Sequence, residues 1–403
     1  MQTLKKHSIF ALGYFLLIAL LGMALRLFQL IEFPFDYKFL VHTHSHVALL
    51  GWVYTALTTL IYKSYLSKAS IHKKYRNLFW FTQINIIGML FTFPFTGYAL
   101  FSILFSTLFL FASYVFMWLF IKHTSDEQKR SYSYKCIHVS LWYMVISSLG
   151  PWALGIIMNT AGSGSDLYRN AIYFYLHFQY NGWFIMALIG IFLYLLEQNS
   201  ANLSSRTFRQ FFWTMNIGVV TTFGISILWM KPPYIIYLIS VFGSLLQLFA
   251  FGILIKWLSP FRDQIKSFDS KPSYLLIRIA ALFFLIKLLF QILGSIPYVA
   301  SIIASNIDLV IGYIHWTFLG VVSIAALAFL SHFKLIHITK RTIFLYLIGF
   351  FLTEGLIFYR GIVVWSKTWL ATNYSWYLAI ASGILLVGIA QIFINQFQKT
   401  TKN

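Results

Sequence analysis

Apolar runs long enough to cross a bilayer recur twelve times along the chain, and short polar connections separate them. About 20 helical residues cross the hydrocarbon core of a membrane. No connection is long enough to form a soluble domain, so the pattern predicts one all-α polytopic membrane domain over residues 1–403. The runs are 8–31, 39–62, 78–96, 98–121, 137–159, 171–196, 208–230, 234–257, 273–296, 309–331, 342–364 and 371–394.

The composition agrees with this pattern, because 59% of the residues are hydrophobic and only 10% are charged. Soluble domains carry about 25% charged residues. The net charge of +20 comes from basic residues in short clusters between the apolar runs. Such clusters are typical of cytoplasmic loops, so we expect a lipid bilayer as partner and no nucleic acid. Most of them lie at the termini and in every second connection, which predicts a cell (inner) membrane protein with both termini cytoplasmic.

A histidine followed five residues later by a glycine occurs three times at nearly equal intervals. The spacings are 131 residues from His46 to His177 and 138 residues from His177 to His315. With the predicted topology, the second, sixth and tenth helices run inward from the outer face, and each carries its histidine about 10 Å deep. The spacing predicts three pseudo-symmetric four-helix units, approximately 1–130, 131–265 and 266–403.

The histidines are the candidate metal ligands, since imidazole inside a membrane needs a metal or a hydrogen-bond partner. The single cysteine, Cys136, excludes a site built from several thiolates. In a helix, His42 and His46 share one face and His44 lies nearly opposite. Hydrogen bonding between helices is the alternative explanation for each histidine. The candidate metal ligands are His42, His44, His46, His177 and His315.

Two charged residues lie in the middle of predicted helices, Lys287 in the ninth and Glu354 in the eleventh. An unpaired charge is costly in lipid. We therefore expect that they form an intramembrane ion pair or mark a proton path.

Twelve helices in three arcs of four, with histidines on helices 2, 6 and 10 near the outer face, resemble subunit I of the haem-copper oxidases. The resemblance implies a haem, of b type, held between His46 and His315. It implies that His177, together with His44, supports a second haem or a copper ion. The implied function is electron transfer or the handling of oxygen or nitric oxide. The implied partners are other respiratory subunits or a cytochrome donor, and an enzyme of this kind would be an oxidoreductase.

The chain also departs from the oxidase pattern. The seventh helix has no histidine, Thr317 replaces the second histidine expected on the tenth, and Phe-Gln-Tyr-Asn follows His177. A standard histidine-ligated copper centre is therefore not expected.

Two alternatives remain open. The sequence from His44 to Gly51 also resembles the His-x-His-x4-Gly motif of the NnrS family, which implies a non-catalytic assembly or stress protein. The other alternative is a metal-ion transporter or sensor, in which the His42–His46 cluster captures the ion with Asp36 beside it.

Overall fold

A computed structural model describes residues 2–199, 204–266 and 271–398, and those residues form helices and connecting turns without a strand. Twelve of the helices are long and apolar enough to cross a membrane. The predicted all-α class and the number of spans are confirmed, and these helices indicate an integral membrane protein. The spans are α1 (Gln2–Leu27), α2 (Tyr37–Leu66), α3 (His72–Thr96), α4 (Leu100–His123), α5 (Tyr132–Thr160), α6 (Asp166–Gln198), α7 (Ser205–Met230), α8 (Tyr234–Phe261), α9 (Pro272–Ser295), α10 (Ile307–His332), α11 (Lys340–Ser366) and α12 (Tyr374–Ile394).

The turn between α3 and α4 shows why two spans form where the apolar sequence is almost continuous. Gly97 follows the last residue of α3 with φ at +57°. Glycine adopts this left-handed region without the steric penalty that a Cβ would bring. The predicted separation of two helices near Pro94–Gly97 is confirmed.

Three helices are much more buried than the others. In α2, α6 and α10, 72–83% of the most apolar 18-residue window is buried, against 33–44% in the other nine spans. The helices that carry the three repeated histidines are therefore also the interior helices.

The described chain divides into two compact units. The first comprises Met1–Thr124 and Ala326–Asn403. In it, α1 packs against α2 and α12, α3 against α4, and α11 against α12. The second unit is Ser125–Ala325, in which α5 packs against α6, α7 against α8, and α8 against α9. The predicted three repeats within a single domain stay a prediction.

Candidate cofactor site

Each repeated histidine comes directly before a π-helical segment. His46 precedes Val47–Tyr54, His177 precedes Phe178–Phe184, and His315 precedes Trp316–Ser323. π-Helical segments are rare and frequently occur at functional sites. All three motif histidines are thus followed by the same local helix geometry.

The glycine of the motif lets a neighbouring helix approach closely. A Cβ built on Gly51 would lie 2.9 Å from the Tyr14 ring of α1, and one on Gly182 would lie 2.5 Å from the Tyr143 ring of α5. Real Cβ contacts are essentially never that short. Tyr14 on α1 and Tyr143 on α5 therefore occupy corresponding positions beside the first and second motif glycines.

A second pair of glycine contacts lies in the C-terminal halves of α1 and α5. A Cβ on Gly22 would lie 3.2 Å from the His44 ring. One on Gly150 would lie 2.4 Å from the Ala171 carbonyl oxygen and 3.0 Å from the Cβ of Tyr175. His44 and Tyr175 both stand two residues before the motif histidine. The second motif thus has a tyrosine at the position that His44 holds in the first.

His46 has one ring nitrogen fixed by its own helix. Nδ1 lies 2.8 Å from the His42 carbonyl oxygen. A carbonyl can only accept, so Nδ1 carries the proton and the lone pair is on Nε2. A hydrogen bond from one ring nitrogen to a carbonyl is the usual way in which proteins orient a metal-binding imidazole. This arrangement fits a haem iron or another metal ligated by Nε2.

The surroundings of His46 are aromatic. Its ring centroid lies 4.3 Å from that of Phe93 and 5.8 Å from that of Tyr98. His42 lies beside the same tyrosine, at 4.8 Å. Aromatic side chains beside a histidine that could ligate a metal are compatible with a bound planar macrocycle. They are equally compatible with simple helix packing.

The cluster His42, His44 and His46 does not form a compact metal site. Among the described residues, no group of three or more His, Cys, Asp or Glu side chains could hold a metal ion. His44 faces Gly22, whereas His42 and His46 lie beside Tyr98. Asp36, the expected helper of a captured ion, instead caps α2 by accepting hydrogen bonds from the backbone of Lys38 and Phe39.

His177 differs from His46, because both of its ring nitrogens have protein partners. Nε2 donates to the Val219 carbonyl at 2.8 Å, and Nδ1 accepts from Asn181 Nδ2 at 3.1 Å. The side chain is 2% exposed. A metal on either nitrogen would have to replace a buried hydrogen bond.

The Val219 carbonyl lies where α7 changes from an α-helix to a 3₁₀-helix, which begins at Thr222. At such a change the regular hydrogen bonds of the α-helix are interrupted, and the carbonyls must find other donors inside a membrane. His177 supplies one for Val219, and Gln247 Nε2 donates to the Gly218 carbonyl at 3.1 Å.

Lys287 determines which way the Asn181 amide points. The lysine is fully buried, and its Nζ donates to Asn181 Oδ1 at 2.5 Å and to Gln291 Oε1 at 2.7 Å. An ammonium cannot accept, so Oδ1 must face it and Nδ2 must face His177. The lysine thereby selects the tautomer of His177 in which Nδ1 is unprotonated and accepts from Asn181.

The predicted pair of Lys287 with Glu354 stays a prediction. Lys287 uses the two neutral oxygens of Asn181 and Gln291 and lies 5.6 Å from the Phe284 ring. Glu354 is 1% exposed, on α11 of the first unit.

His315 is half-buried on α10. The next residue, Trp316, holds this part of α10 against α9. Trp316 Nε1 donates to the Phe283 carbonyl of α9 at 3.0 Å, and the two rings lie 4.8 Å apart. This contact ties the start of the third π segment to α9.

Two histidines outside the repeated motif also have specific contacts. His7 is 2% exposed and stacks on Phe79 at 3.5 Å. His72 Nδ1 lies 2.5 Å from the Tyr62 hydroxyl. His7 lies inside α1, because that helix begins at Gln2, six residues before the predicted start.

No protein-family model matches the chain, and no curated protein matches it in sequence. Solved structures do match. One is a chain from a cryo-EM structure of a haem-copper terminal oxidase dimer, with a TM-score of 0.68 and 13% sequence identity. The match covers 100% of this chain and 85% of that one. The identity is low, and the similarity establishes the fold: this chain is folded like a chain of a haem-copper terminal oxidase.

Proposed function

We propose that the protein is a membrane haem protein in which Nε2 of His46 ligates the iron. The observation that carries this proposal is the hydrogen bond from Nδ1 to the His42 carbonyl, which leaves the Nε2 lone pair for a metal. The oxidase-like fold supports it. A b-type haem would supply one-electron chemistry, such as electron transfer or the binding of oxygen or nitric oxide.

The chain's own residues orient this ligand and shield it. The His42 carbonyl holds the His46 ring by Nδ1, and Phe93 and Tyr98 cover its sides. The second axial ligand in the proposal is His315, as the oxidase resemblance implies. The proposal places no metal on His177, whose two nitrogens already have protein partners.

The remaining assignments are part of the same proposal. The protein lies in the cell membrane with both termini cytoplasmic, and it receives electrons from a cytochrome or a partner respiratory subunit. Copper at a second site, with His44 as a ligand, is not favoured, because the described residues contain no cluster of metal-binding side chains. The same observation counts against the metal-transporter alternative.

The test compares two histidines of one cluster in purified protein from haem-replete cells. We expect His46→Ala to lose the low-spin haem spectrum and added imidazole to restore part of it. His42→Ala is the matched control, because it removes a neighbouring ring but keeps the carbonyl that holds His46. We expect it to retain the spectrum. Haem retained in His46→Ala, or lost equally in both variants, would overturn the proposed ligand.

The same measurement tests His315. His315→Ala should also lose the low-spin spectrum, because the proposed haem would be held by both His46 and His315. A spectrum unchanged in His315→Ala would remove that residue from the proposal and leave the His46 assignment standing.

A further inference from the structure

The first unit has few acidic side chains, and none of them lies at the end where α3 begins. The acidic residues of Met1–Thr124 and Ala326–Asn403 are Glu32, Asp36 and Glu354. Glu32 and Asp36 come before α2, a helix of 30 residues and therefore about 45 Å long. Glu354 is buried in the middle of α11. The basic residues at the far end of α2 therefore have no acidic partner within their own unit.

Two lysines meet at this end, on neighbouring helices. A short turn at Gly97 joins α3 to α4, so the start of α3 and the end of α4 lie together. Lys74 is near that start and Lys122 near that end, and both ammonium groups are close enough to act electrostatically on the His123 ring. Like charges that converge in this way repel each other unless an anion lies between them.

The acidic residues that follow α4 in sequence are engaged elsewhere. Asp126 and Glu127 lie in the first turn of a short helix, where a negative charge is favourable. Asp126 also pairs with Lys129 at 3.2 Å. The charges that act on the His123 ring are those of the two lysines.

Lys122 continues a face of α4 that is exposed to lipid. Phe111, Val115, Trp118 and Lys122 are separated by four, three and four residues, so they share one side of the helix. The three apolar side chains are 45–49% exposed. The Lys122 Nζ lies 4.5 Å from the centre of the Trp118 ring. An ammonium held over a lipid-exposed indole lies at the level of the lipid head groups.

Lys74 begins a similar face of α3. Phe81 and Ile84 lie on the same side of the helix as Lys74 and are 40% and 60% exposed. Gly88 continues this side, and a Cβ built on it would lie 2.5 Å from the Phe105 ring of α4. The apolar face below Lys74 therefore borders α4. Each of the two lysines thus lies at the end of an exposed apolar face.

We propose that this end of the first unit binds one anionic phospholipid, whose phosphate lies between Lys74 and Lys122 and whose acyl chains follow the exposed faces of α3 and α4. The phosphate supplies the negative charge that the unit lacks at this end, and lysines near a membrane surface attract anionic lipids. A free phosphate ion would use the lysines alone, whereas a phospholipid also uses the apolar faces below them.

Photo-cross-linking of the intact protein in non-ionic detergent measures binding at this place. The probe is a phosphatidylglycerol with a diazirine in its acyl chain, and cross-links are mapped on chymotryptic peptides by mass spectrometry. We expect saturable labelling on the exposed faces of α3 and α4. A lysine near a bilayer surface contributes about a factor of five to lipid affinity. The double variant Lys74→Gln/Lys122→Gln should therefore raise the half-saturating lipid concentration about thirtyfold.

Lys63→Gln/Lys68→Gln is the matched control. It removes the same charge from the same end of the unit, at the end of α2 and in the turn that follows, but away from the two apolar faces. We expect less than a twofold change in half-saturation. An equal loss in the two double variants would overturn the proposal, because general surface charge would then explain the binding.

Two further probes test the chemistry of the ligand. A phosphatidylcholine with the same diazirine chain should label these faces much more weakly, because its head group has no net charge. Millimolar inorganic phosphate should leave labelling by phosphatidylglycerol unchanged. Equal half-saturation by the two lipids would overturn the proposal. Displacement of phosphatidylglycerol by inorganic phosphate would also overturn it and would identify free phosphate as the ligand.

Discussion

The hydrogen-bonded group of His177, Asn181, Lys287 and Gln291 leads to a quantitative prediction. Asn181→Leu keeps the approximate volume of the side chain and removes both of its hydrogen bonds. In one of them the amide oxygen of Asn181 accepts from the buried ammonium of Lys287, and in the other its amide nitrogen donates to His177. A hydrogen bond to a charged group contributes about 1.5–3 kcal/mol and a neutral one about 1 kcal/mol. We therefore expect a loss of about 3 kcal/mol in the free energy of unfolding.

A double-mutant cycle separates the contact with the lysine from the general effect of the substitution. In the Lys287→Met background there is no ammonium left to lose its acceptor. Asn181→Leu should then cost only the bond to His177, about 1 kcal/mol. The coupling energy between positions 181 and 287 should therefore be about 2 kcal/mol. The assay is reversible unfolding in mixed micelles with increasing dodecyl sulfate.

Gln179→Leu is the matched control for this cycle. Gln179 is also buried on α6, but it donates to Ser147 and has no contact with Lys287. Its effect should add to that of Lys287→Met within about 0.5 kcal/mol. Additivity for Asn181 as well would refute the argument that the lysine holds the amide.

Three further predictions follow from the packing and topology. Gly182→Ala should destabilise the protein by about 1–3 kcal/mol, since its Cβ would clash with Tyr143, whereas Gly155→Ala meets nothing within 4 Å and should be neutral. Melting temperatures of the two variants check this, and equal values would contradict it. A cysteine at Ser163 should react with an impermeant thiol reagent from the outer face only, and labelling from the cytoplasmic side alone would reverse the proposed topology. Any copper that purifies with the protein should be removed by mild chelation without a change in the haem spectrum. Protein that retains one copper after chelation and consumes oxygen rapidly would contradict the proposal.

The membrane spans could be predicted from the sequence because hydropathy and length almost determine them. The starts of α1 and α3 were each misplaced by six residues. At the start of α1, Lys5 and Lys6 interrupt the apolar pattern although the helix begins at Gln2. Long basic side chains near a helix end reach the interface, so they do not stop the helix. Hydropathy averages over a segment, so it does not detect that single lysine side chains at a helix end can reach the interface.

The repeat of histidine and glycine was visible in the sequence, but the difference between His46 and His177 was not. The two residues have the same spacing to the next glycine. They differ in their partners. The partner of His46 is the carbonyl of His42 in the same helix. The partners of His177 are Val219, which is 42 positions away, and Asn181, which is four positions away. Only Asn181 could have been suspected, because it lies one turn from His177 beside the motif glycine. The Val219 contact depends on the helix change in α7, for which the apolar sequence gives no signal.

The absorption spectrum of the purified wild-type chain is the decisive measurement for the proposed haem at His46. We expect a Soret band and, after reduction, the sharp visible bands of a low-spin b-type haem, with about one haem per chain. Protein that is folded and purified from haem-replete cells but has no Soret band, and that binds zinc or copper instead, would contradict it.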